Sequence, residues 1–334
     1  MPDAGGTATA KAPRERDTTI DGRGAWIAGC AALAVLSVSY GSPVLIVVGL
    51  KPITAGLETI REVTSGAASL TWVGTGLGGI LMGWLADRIG IRRTVMFGAV
   101  MIALGLAVSA YGTVWALYLG HGLLLGLLGN GAMFPPLLVY VSRWFEKRRG
   151  TALALIASGQ YIAGMVWPTV FEHAMARFGW QATMVAYGVV TVALIPPVAA
   201  LLLHPPPAHS HTAAASASQQ SRSTLGMPPN LLLALLGIAG FFCCVPMALP
   251  QSHLVAFCSD IGIPAAQGAA MLSLMTACAF ISRQFWGWLA DRVGGLLTLI
   301  VGSTCQALAI SDCIDPGLQP RFDLGHGCGR LRCT

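Results

Sequence analysis

The chain has 334 residues, of which 54% are hydrophobic and only 10% are charged, and its mean hydropathy is +0.67. Soluble domains carry about 25% charged residues, so this composition excludes a water-soluble globular enzyme and requires lipid around the outward faces. The net charge of +6 does not indicate a nucleic-acid partner, because the basic residues are spread over short segments between apolar runs. The composition therefore predicts an integral membrane protein.

Residues 1–25 are polar, mixed in charge and unlike a cleaved signal peptide. We expect them to form a cytoplasmic tail. A membrane-spanning helix needs about 20 mostly apolar residues, and nine runs approach that length. They are 26–50, 66–86, 94–110, 115–141, 151–173, 181–203, 230–258, 266–289 and the short 296–310. These runs are continuous rather than alternating, which excludes barrel strands and predicts an all-α membrane bundle.

Basic residues predict the orientation of the bundle, because Lys and Arg are concentrated in cytoplasmic loops. With the N-terminus inside, 13 of them lie in inner segments and three in outer loops. The inner ones are Lys11, Arg14, Arg16, Arg23, Arg88, Arg92, Arg93, Arg143, Lys147, Arg148, Arg149, Arg222 and Arg292; the outer ones are Lys51, Arg61 and Arg177. The predicted location is the bacterial inner membrane, with a cytoplasmic N-terminus.

A change of composition divides the chain. Residues 204–229 are rich in Pro, Ala, Ser and His without an apolar period, which is typical of a linker between bundles. A solvated linker explains His204, His209 and His211 better than a metal site does. The predicted parts are therefore a six-helix bundle at 26–203, the linker, a partial three-helix bundle at 230–310 and a polar tail at 311–334. No metal or cofactor is predicted.

An internal repeat links the two predicted bundles. Residues 83–90 read GWLADRIG and residues 287–294 read GWLADRVG, so seven of the eight positions are identical at an offset of 204. Both copies end a predicted helix on the cytoplasmic side. Repeated halves in the same orientation are typical of secondary transporters.

The first copy and its continuation, Gly83 to Arg93, resemble the loop 2–3 signature of the major facilitator superfamily. The glycines allow a tight reversal, and Asp87 is placed to accept hydrogen bonds from free backbone N–H groups and to pair with an Arg. Ile91 departs from the family pattern, and the second copy lacks the basic run. The resemblance implies a conformational motif formed by Gly83, Asp87, Arg88, Gly90, Arg92, Arg93, Gly287, Asp291, Arg292 and Gly294.

Two further segments are similar to the monocarboxylate porter and oxalate/formate antiporter branch of that superfamily. Residues 21–26, DGRGAW, resemble its motif at the start of helix 1, and residues 144–154, WFEKRRGTALA, resemble its loop 4–5 signature. The resemblance covers residues 21 to about 310. It implies transport of a small organic anion by alternating access, in contact with the lipid bilayer.

Arg283 is the one basic residue embedded in a predicted span. A charge there costs about 3 kcal/mol on insertion scales, and such residues usually face an aqueous cavity. The branch resemblance implies that Arg283 binds the substrate carboxylate. The alternative is a side chain that reaches the cytoplasmic interface, since Asp291 is only eight residues away.

Four uncharged polar residues within apolar spans, Tyr40, Asn130, Gln160 and Tyr161, are further candidates for substrate binding. Hydrogen bonding between helices explains any one of them equally well. Small residues at four-residue spacing are interpreted as packing contacts; they are Gly74, Gly78, Gly79, Gly83, Gly122 and Gly126.

Coupling is not fixed by the sequence. Proton-coupled members of the branch carry an acidic residue one turn before the helix 8 Arg and a Lys after the Pro of helix 1. Here those positions are Ala279 and Val44, and Glu172 and Asp260 lie at predicted outer helix ends. These differences weaken proton symport and leave counter-anion exchange or uniport open.

The tail after residue 310 is polar and carries Arg321, Arg330 and Arg332 on the predicted outer side. Cys313, His326, Cys328 and Cys333 are not interpreted as a metal site. A truncated or frameshifted product is the expectation, so a non-transporting fragment is one alternative function. A membrane sensor or assembly partner is another. No nucleotide-binding, nucleophile-elbow or zinc-protease motif occurs in the sequence, and no enzyme is predicted.

Overall fold

A computed structural model describes residues 21–146, 148–203 and 229–314. Its regular structure is entirely helical over these residues, in nine long segments that we number α1 to α9 in chain order. They are α1 (Arg23–Val48), α2 (Arg61–Ile89), α3 (Ile91–Ser109), α4 (Val114–Ser142), α5 (Arg149–Phe178), α6 (Trp180–Leu202), α7 (Pro229–Asp260), α8 (Ala265–Val293) and α9 (Gly295–Ile314). Among the described residues, seven segments are long and apolar enough to cross a membrane: α1 to α6 and α8.

Each of the nine apolar runs coincides with one of these helices, and only 26–50, 94–110 and 181–203 extend one or two residues past the helix end. The ninth helix, Gly295–Ile314, is longer than the predicted 296–310 and extends into the predicted polar tail. Most of the predicted linker, the first 20 residues of the N-terminal tail and the tail beyond residue 314 lie outside the described residues.

Close backbone contacts hold α2, α3 and α4 together. An added Cβ at Gly78 of α2 would lie 2.0 Å from the Leu127 carbonyl oxygen of α4, and one at Gly105 of α3 would lie 2.7 Å from the Gly120 oxygen. Apolar side chains gain little by leaving lipid for a neighbouring helix, so membrane helices depend on such close packing.

Three helices of the first bundle are broken near their middle. Helix α1 is interrupted at Tyr40, between Arg23–Ser39 and Gly41–Val48. Helix α4 contains a π-helical stretch, Leu119–Gly129, followed by a 3-10 turn, and α5 is interrupted at Ser158. Such breaks release backbone polar groups, which must find partners inside the protein.

Helix α8 runs antiparallel to α5 and joins the two bundles that the sequence predicts at 26–203 and 230–310. Gly164 of α5 lies against Thr276, and Gly150 lies against Asp291. Helix α7 packs beside α1 and α8, and α9 packs on α8. We name the two ends of the bundle by their acidic residues: the Asp87 end, which also carries Asp291, and the opposite Asp260 end.

Candidate functional site

The break in α5 exposes a backbone carbonyl toward α8. In an unbroken helix the Tyr161 N–H would donate to the Ala157 oxygen, but here it donates to Ser158 O at 2.9 Å, as the Ile162 N–H does at 3.0 Å. The Ala157 oxygen is thereby left to a partner from another helix. A free carbonyl between the halves of a bundle is typical of the discontinuous helices that form transporter sites.

Arg283 of α8 supplies that partner. Its Nη1 donates to the Ala157 oxygen at 3.0 Å, and its guanidinium carbon lies 4.8 Å from the centroid of the Tyr161 ring. The next residue, Gln284, donates from Nε2 to Ser158 Oγ at 2.7 Å. Arg283 is half-buried and contacts protein groups between the two bundles. The backbone contact uses one of the five N–H donors of the guanidinium group.

A cavity of about 90 Å³ lies between the bundles, beside Tyr161. It is lined by Tyr40, Pro43, Val44 and Val47 of α1, Trp72 of α2, Gln160, Tyr161 and Gly164 of α5, Ala248, Gln251 and Ser252 of α7, and Leu272 and Thr276 of α8. Its lining is mixed apolar and polar, as small-molecule sites are. Arg283 is not itself a lining residue and reaches the cavity through the Tyr161 ring.

Three of the four uncharged candidates line this cavity: Tyr40, Gln160 and Tyr161. The Tyr40 ring lies 6.0 Å from that of Trp72 and 5.6 Å from that of Phe134. The structure does not bring Asn130 to the same cavity. Asn130 is 1% exposed, follows the π-helical stretch of α4, and its Oδ1 has no hydrogen-bond partner among the described residues.

Several lining residues were not identified from the sequence. Gln251, Ser252 and Thr276 are polar residues within apolar runs, the same signal that identified Gln160. Trp72 carries no such signal, because a tryptophan in a span is usually a packing residue. Gln284 and Ser158 contact each other only because the α5 break faces α8.

At the Asp87 end, Asp291 of the second copy of the repeat holds α8 against the N-terminus of α5. We call this contact the Asp291 clamp. The Asp291 carboxylate accepts hydrogen bonds from Gly150 N at 2.7 Å, Thr151 N at 2.8 Å and Thr151 Oγ at 2.6 Å. These donors form the N-terminus of α5, where free N–H groups and the helix dipole favour an anion. Close by, an added Cβ on Gly287 would lie 2.3 Å from Ala154 Cβ.

The first copy has different partners. Asp87 Oδ1 accepts from Arg143 Nη2 at 3.1 Å, so the predicted pairing with an Arg is present, whereas backbone donors are found at Asp291. A cavity of about 770 Å³ opens beside this pair. Of the predicted motif residues, it is lined by Gly83, Asp87, Gly90 and Arg92.

Both copies share two local features. Gly90 and Gly294 end α2 and α8 with φ of +88° and +91°, a region that favours glycine. The next helix then begins at once. The Arg of each copy lies over its own Trp, at 4.0 Å for Arg88 over Trp84 and 4.5 Å for Arg292 over Trp288. Arg93 is exposed at this end.

At the opposite end, one carboxylate joins the two bundles. Asp260, the last residue of α7, lies 2.7 Å from Lys51 Nζ and 2.8 Å from Arg61 Nη1. Lys51 belongs to the short helix Leu50–Gly56 that follows α1, and Arg61 begins α2. Contacts between the bundles are therefore present at both ends, with the cavity between them.

Comparison with known proteins is consistent with this architecture. A family model described as Major Facilitator Superfamily matches residues 25–312. Monocarboxylate transporter 11 of Mus musculus is 29% identical over 289 residues, covering 81% of this chain and 60% of the mouse protein. MFS-type transporter pynF of Aspergillus niger is 25% identical over 248 residues, covering 70% of this chain and 55% of that protein.

A bacterial relative, the uncharacterized MFS-type transporter YcxA of Bacillus subtilis, is 26% identical over 248 residues, covering 73% of this chain and 59% of its own length. The chain thus spans somewhat more than half the length of these relatives. The matching family and the relatives named here are membrane transporters, not enzymes. The chain belongs to the Major Facilitator Superfamily and resembles its monocarboxylate transporter branch.

Proposed function

We propose that the chain forms part of a carrier that moves a small organic anion across the membrane by alternating access, with Arg283 as the ligand of the substrate carboxylate. The observation that carries the proposal is the position of Arg283, which lies between the bundles, against the α5 break and over the Tyr161 ring. The monocarboxylate transporters among the relatives support the choice of a carboxylate.

The chemistry of the proposed site follows from its donors. A guanidinium group matches a carboxylate with two parallel hydrogen bonds, which a single backbone carbonyl such as Ala157 O does not provide. Since the Ala157 carbonyl uses only one of the five N–H donors of Arg283, we infer that the substrate carboxylate binds through two of the other donors. Tyr161, Gln160 and Tyr40 line the adjacent cavity and are proposed to contact the rest of the anion.

Contacts at both ends of the bundle support alternating access. The Asp291 clamp joins α8 to α5 at one end, and Asp260 joins α7 to Lys51 and Arg61 at the other. We propose that the bundle at 26–203 and the bundle at 230–310 move against each other, opening one end at a time. The lining of the cavity includes no carboxylate among the described residues, so the proposal assigns no proton-coupling group there.

Replacing Arg283 with Lys should weaken carboxylate binding by about tenfold or more, because a point charge loses the bidentate geometry. The measurement is equilibrium binding of radiolabelled benzoate to the purified chain in lipid nanodiscs. Arg177→Lys, the same substitution at an exposed position of α5, is the matched control and should bind normally. Equal benzoate affinity in the Arg283→Lys and Arg177→Lys variants would show that Arg283 does not bind the carboxylate.

The charge count further leads us to propose that the N-terminus and the Asp87 end face the cytoplasm. Single cysteines at Ser216, in the predicted linker, and at Ser65, near the Asp260 end of α2, are then on opposite sides. In a background without other cysteines, an impermeant maleimide added to intact cells should label Ser65→Cys and spare Ser216→Cys. Labelling of both positions from outside would disprove the orientation.

A further inference from the structure

The ion cluster at the Asp260 end contains more positive than negative charge. Lys51 and Arg61 share the single carboxylate of Asp260, one through each oxygen, at 2.7 and 2.8 Å. The cluster therefore retains a net charge of about +1 when closed. If Asp260 moves away with α7, two cations held on neighbouring elements, α2 and the helix before it, lose their shared anion.

The cluster is also weak enough to open. The side chains of Lys51, Arg61 and Asp260 are 43%, 40% and 45% exposed, and exposed ion pairs contribute little to stability. A second carboxylate arriving from solution thus competes with Asp260 on nearly equal terms. In the closed arrangement Asp260 stands in the position that such a carboxylate would take.

The cluster lies above the central cavity. Each member of the cluster lies on, or directly after, a helix that lines the cavity. Lys51 follows Val47, near the end of α1, by four residues, Arg61 precedes Trp72 on α2, and Asp260 follows Ser252 by two turns on α7. At a rise of about 1.5 Å per residue, these separations are about 6, 16 and 12 Å. An anion held by the two cations is then close to the mouth of the cavity.

We propose that Lys51 and Arg61 form a second carboxylate-binding site, through which the substrate anion first contacts the carrier, and that Asp260 occupies this site while its end of the bundle is closed. The inference rests on the proposed function, since it assigns the same anion to a site at the cavity mouth. When the substrate carboxylate replaces Asp260 in this site, α7 is released from Lys51 and Arg61. The arrival of the anion therefore opens the Asp260 end of the bundle.

The sequence offers a direct chemical measurement, because it contains only three lysines: Lys11, Lys51 and Lys147. Acetylation of Lys51 by N-hydroxysuccinimidyl acetate is measured by mass spectrometry on the purified chain in nanodiscs, with the other two lysines as internal references. In the Asp260→Asn variant, acetylation of Lys51 should rise about two- to fivefold, as expected for loss of an exposed ion pair. Asp260→Glu should stay near the wild-type level.

Benzoate is the probe of the site. In Asp260→Asn, benzoate should return Lys51 acetylation toward the wild-type level, whereas neutral benzamide and chloride at matched ionic strength should not. Adding Arg61→Gln to that variant should reduce the protection by benzoate to that given by chloride. This pattern would establish a site that binds carboxylates, rather than a salt bridge that only holds the Asp260 end closed.

Protection of Lys51 by benzoate that does not exceed protection by chloride would overturn the proposal. Binding of labelled benzoate that depends on Arg283 is measured on the same samples. If that binding persists without protection of Lys51, the second site alone is wrong. If both are missing, the proposed function fails as well.

Discussion

Replacing Gly78 with Ala is expected to disrupt the first bundle strongly, because the added methyl group would meet the backbone of a neighbouring helix. The added Cβ would lie 2.0 Å from the Leu127 carbonyl oxygen, 2.7 Å from its carbonyl carbon and 2.8 Å from its Cα. All three are backbone atoms of α4, so no side chain can rotate away. Relief requires that α2 and α4 separate, which costs about 3 kcal/mol or more by comparison with overpacked cores.

The matched control is Gly76→Ala, on the same helix. An added Cβ at Gly76 meets nothing within 4 Å, and Gly76 is exposed. Because Ala favours a helix over Gly by about 1 kcal/mol, this control should be neutral or slightly stabilising. Thermal unfolding in detergent should show a melting temperature at least about 5 °C lower for Gly78→Ala than for Gly76→Ala. Equal melting temperatures would show that α2 and α4 do not pack as closely as described.

The helices were predictable because the bilayer imposes a single length and composition on every span. Even the short run 296–310 lies in a helix. The breaks were not predictable in the same way. Tyr40 and Ser158 interrupt α1 and α5 within runs whose overall hydropathy is that of a single span, and hydropathy does not distinguish a broken helix from a continuous one.

The site was predictable only in part. Arg283, Gln160 and Tyr161 stand out because a polar group inside lipid needs a partner, but the sequence does not state which partner. Asn130 gives the same signal and lies elsewhere. The meeting of Asp260 with Lys51 and Arg61 was missed, since these residues are about 200 positions apart in the chain and each lies at an unremarkable helix end.

The two copies of the repeat show how identical residues acquire different partners. Gly83 and Gly287 occupy the same position of GWLADR. An added Cβ at Gly83 meets nothing within 4 Å, whereas one at Gly287 would lie 2.3 Å from Ala154 Cβ. Gly287→Ala should therefore push α8 away from α5, and Gly83→Ala, the matched control, should leave the pair unchanged.

Hydrogen exchange gives the readout, because the Gly150 and Thr151 amides donate to Asp291 at this contact. In Gly287→Ala, these amides should exchange at least about tenfold faster, given a clash of about 1–3 kcal/mol. Adding Ala154→Gly removes the clashing methyl group and leaves the Gly150 oxygen as the nearest atom, at 3.2 Å. Protection should then return in the double variant.

Restored protection in the double variant would distinguish a local clash from general misfolding. If Gly287→Ala simply misfolded the bundle, the further loss of a methyl group in Ala154→Gly would not restore it. Faster exchange in Gly83→Ala, or failure of Ala154→Gly to restore protection, would contradict the clamp. If the clamp is confirmed, Gly287→Ala also becomes a tool. It should favour the conformation open at the Asp87 end, because α8 can no longer close onto the N-terminus of α5.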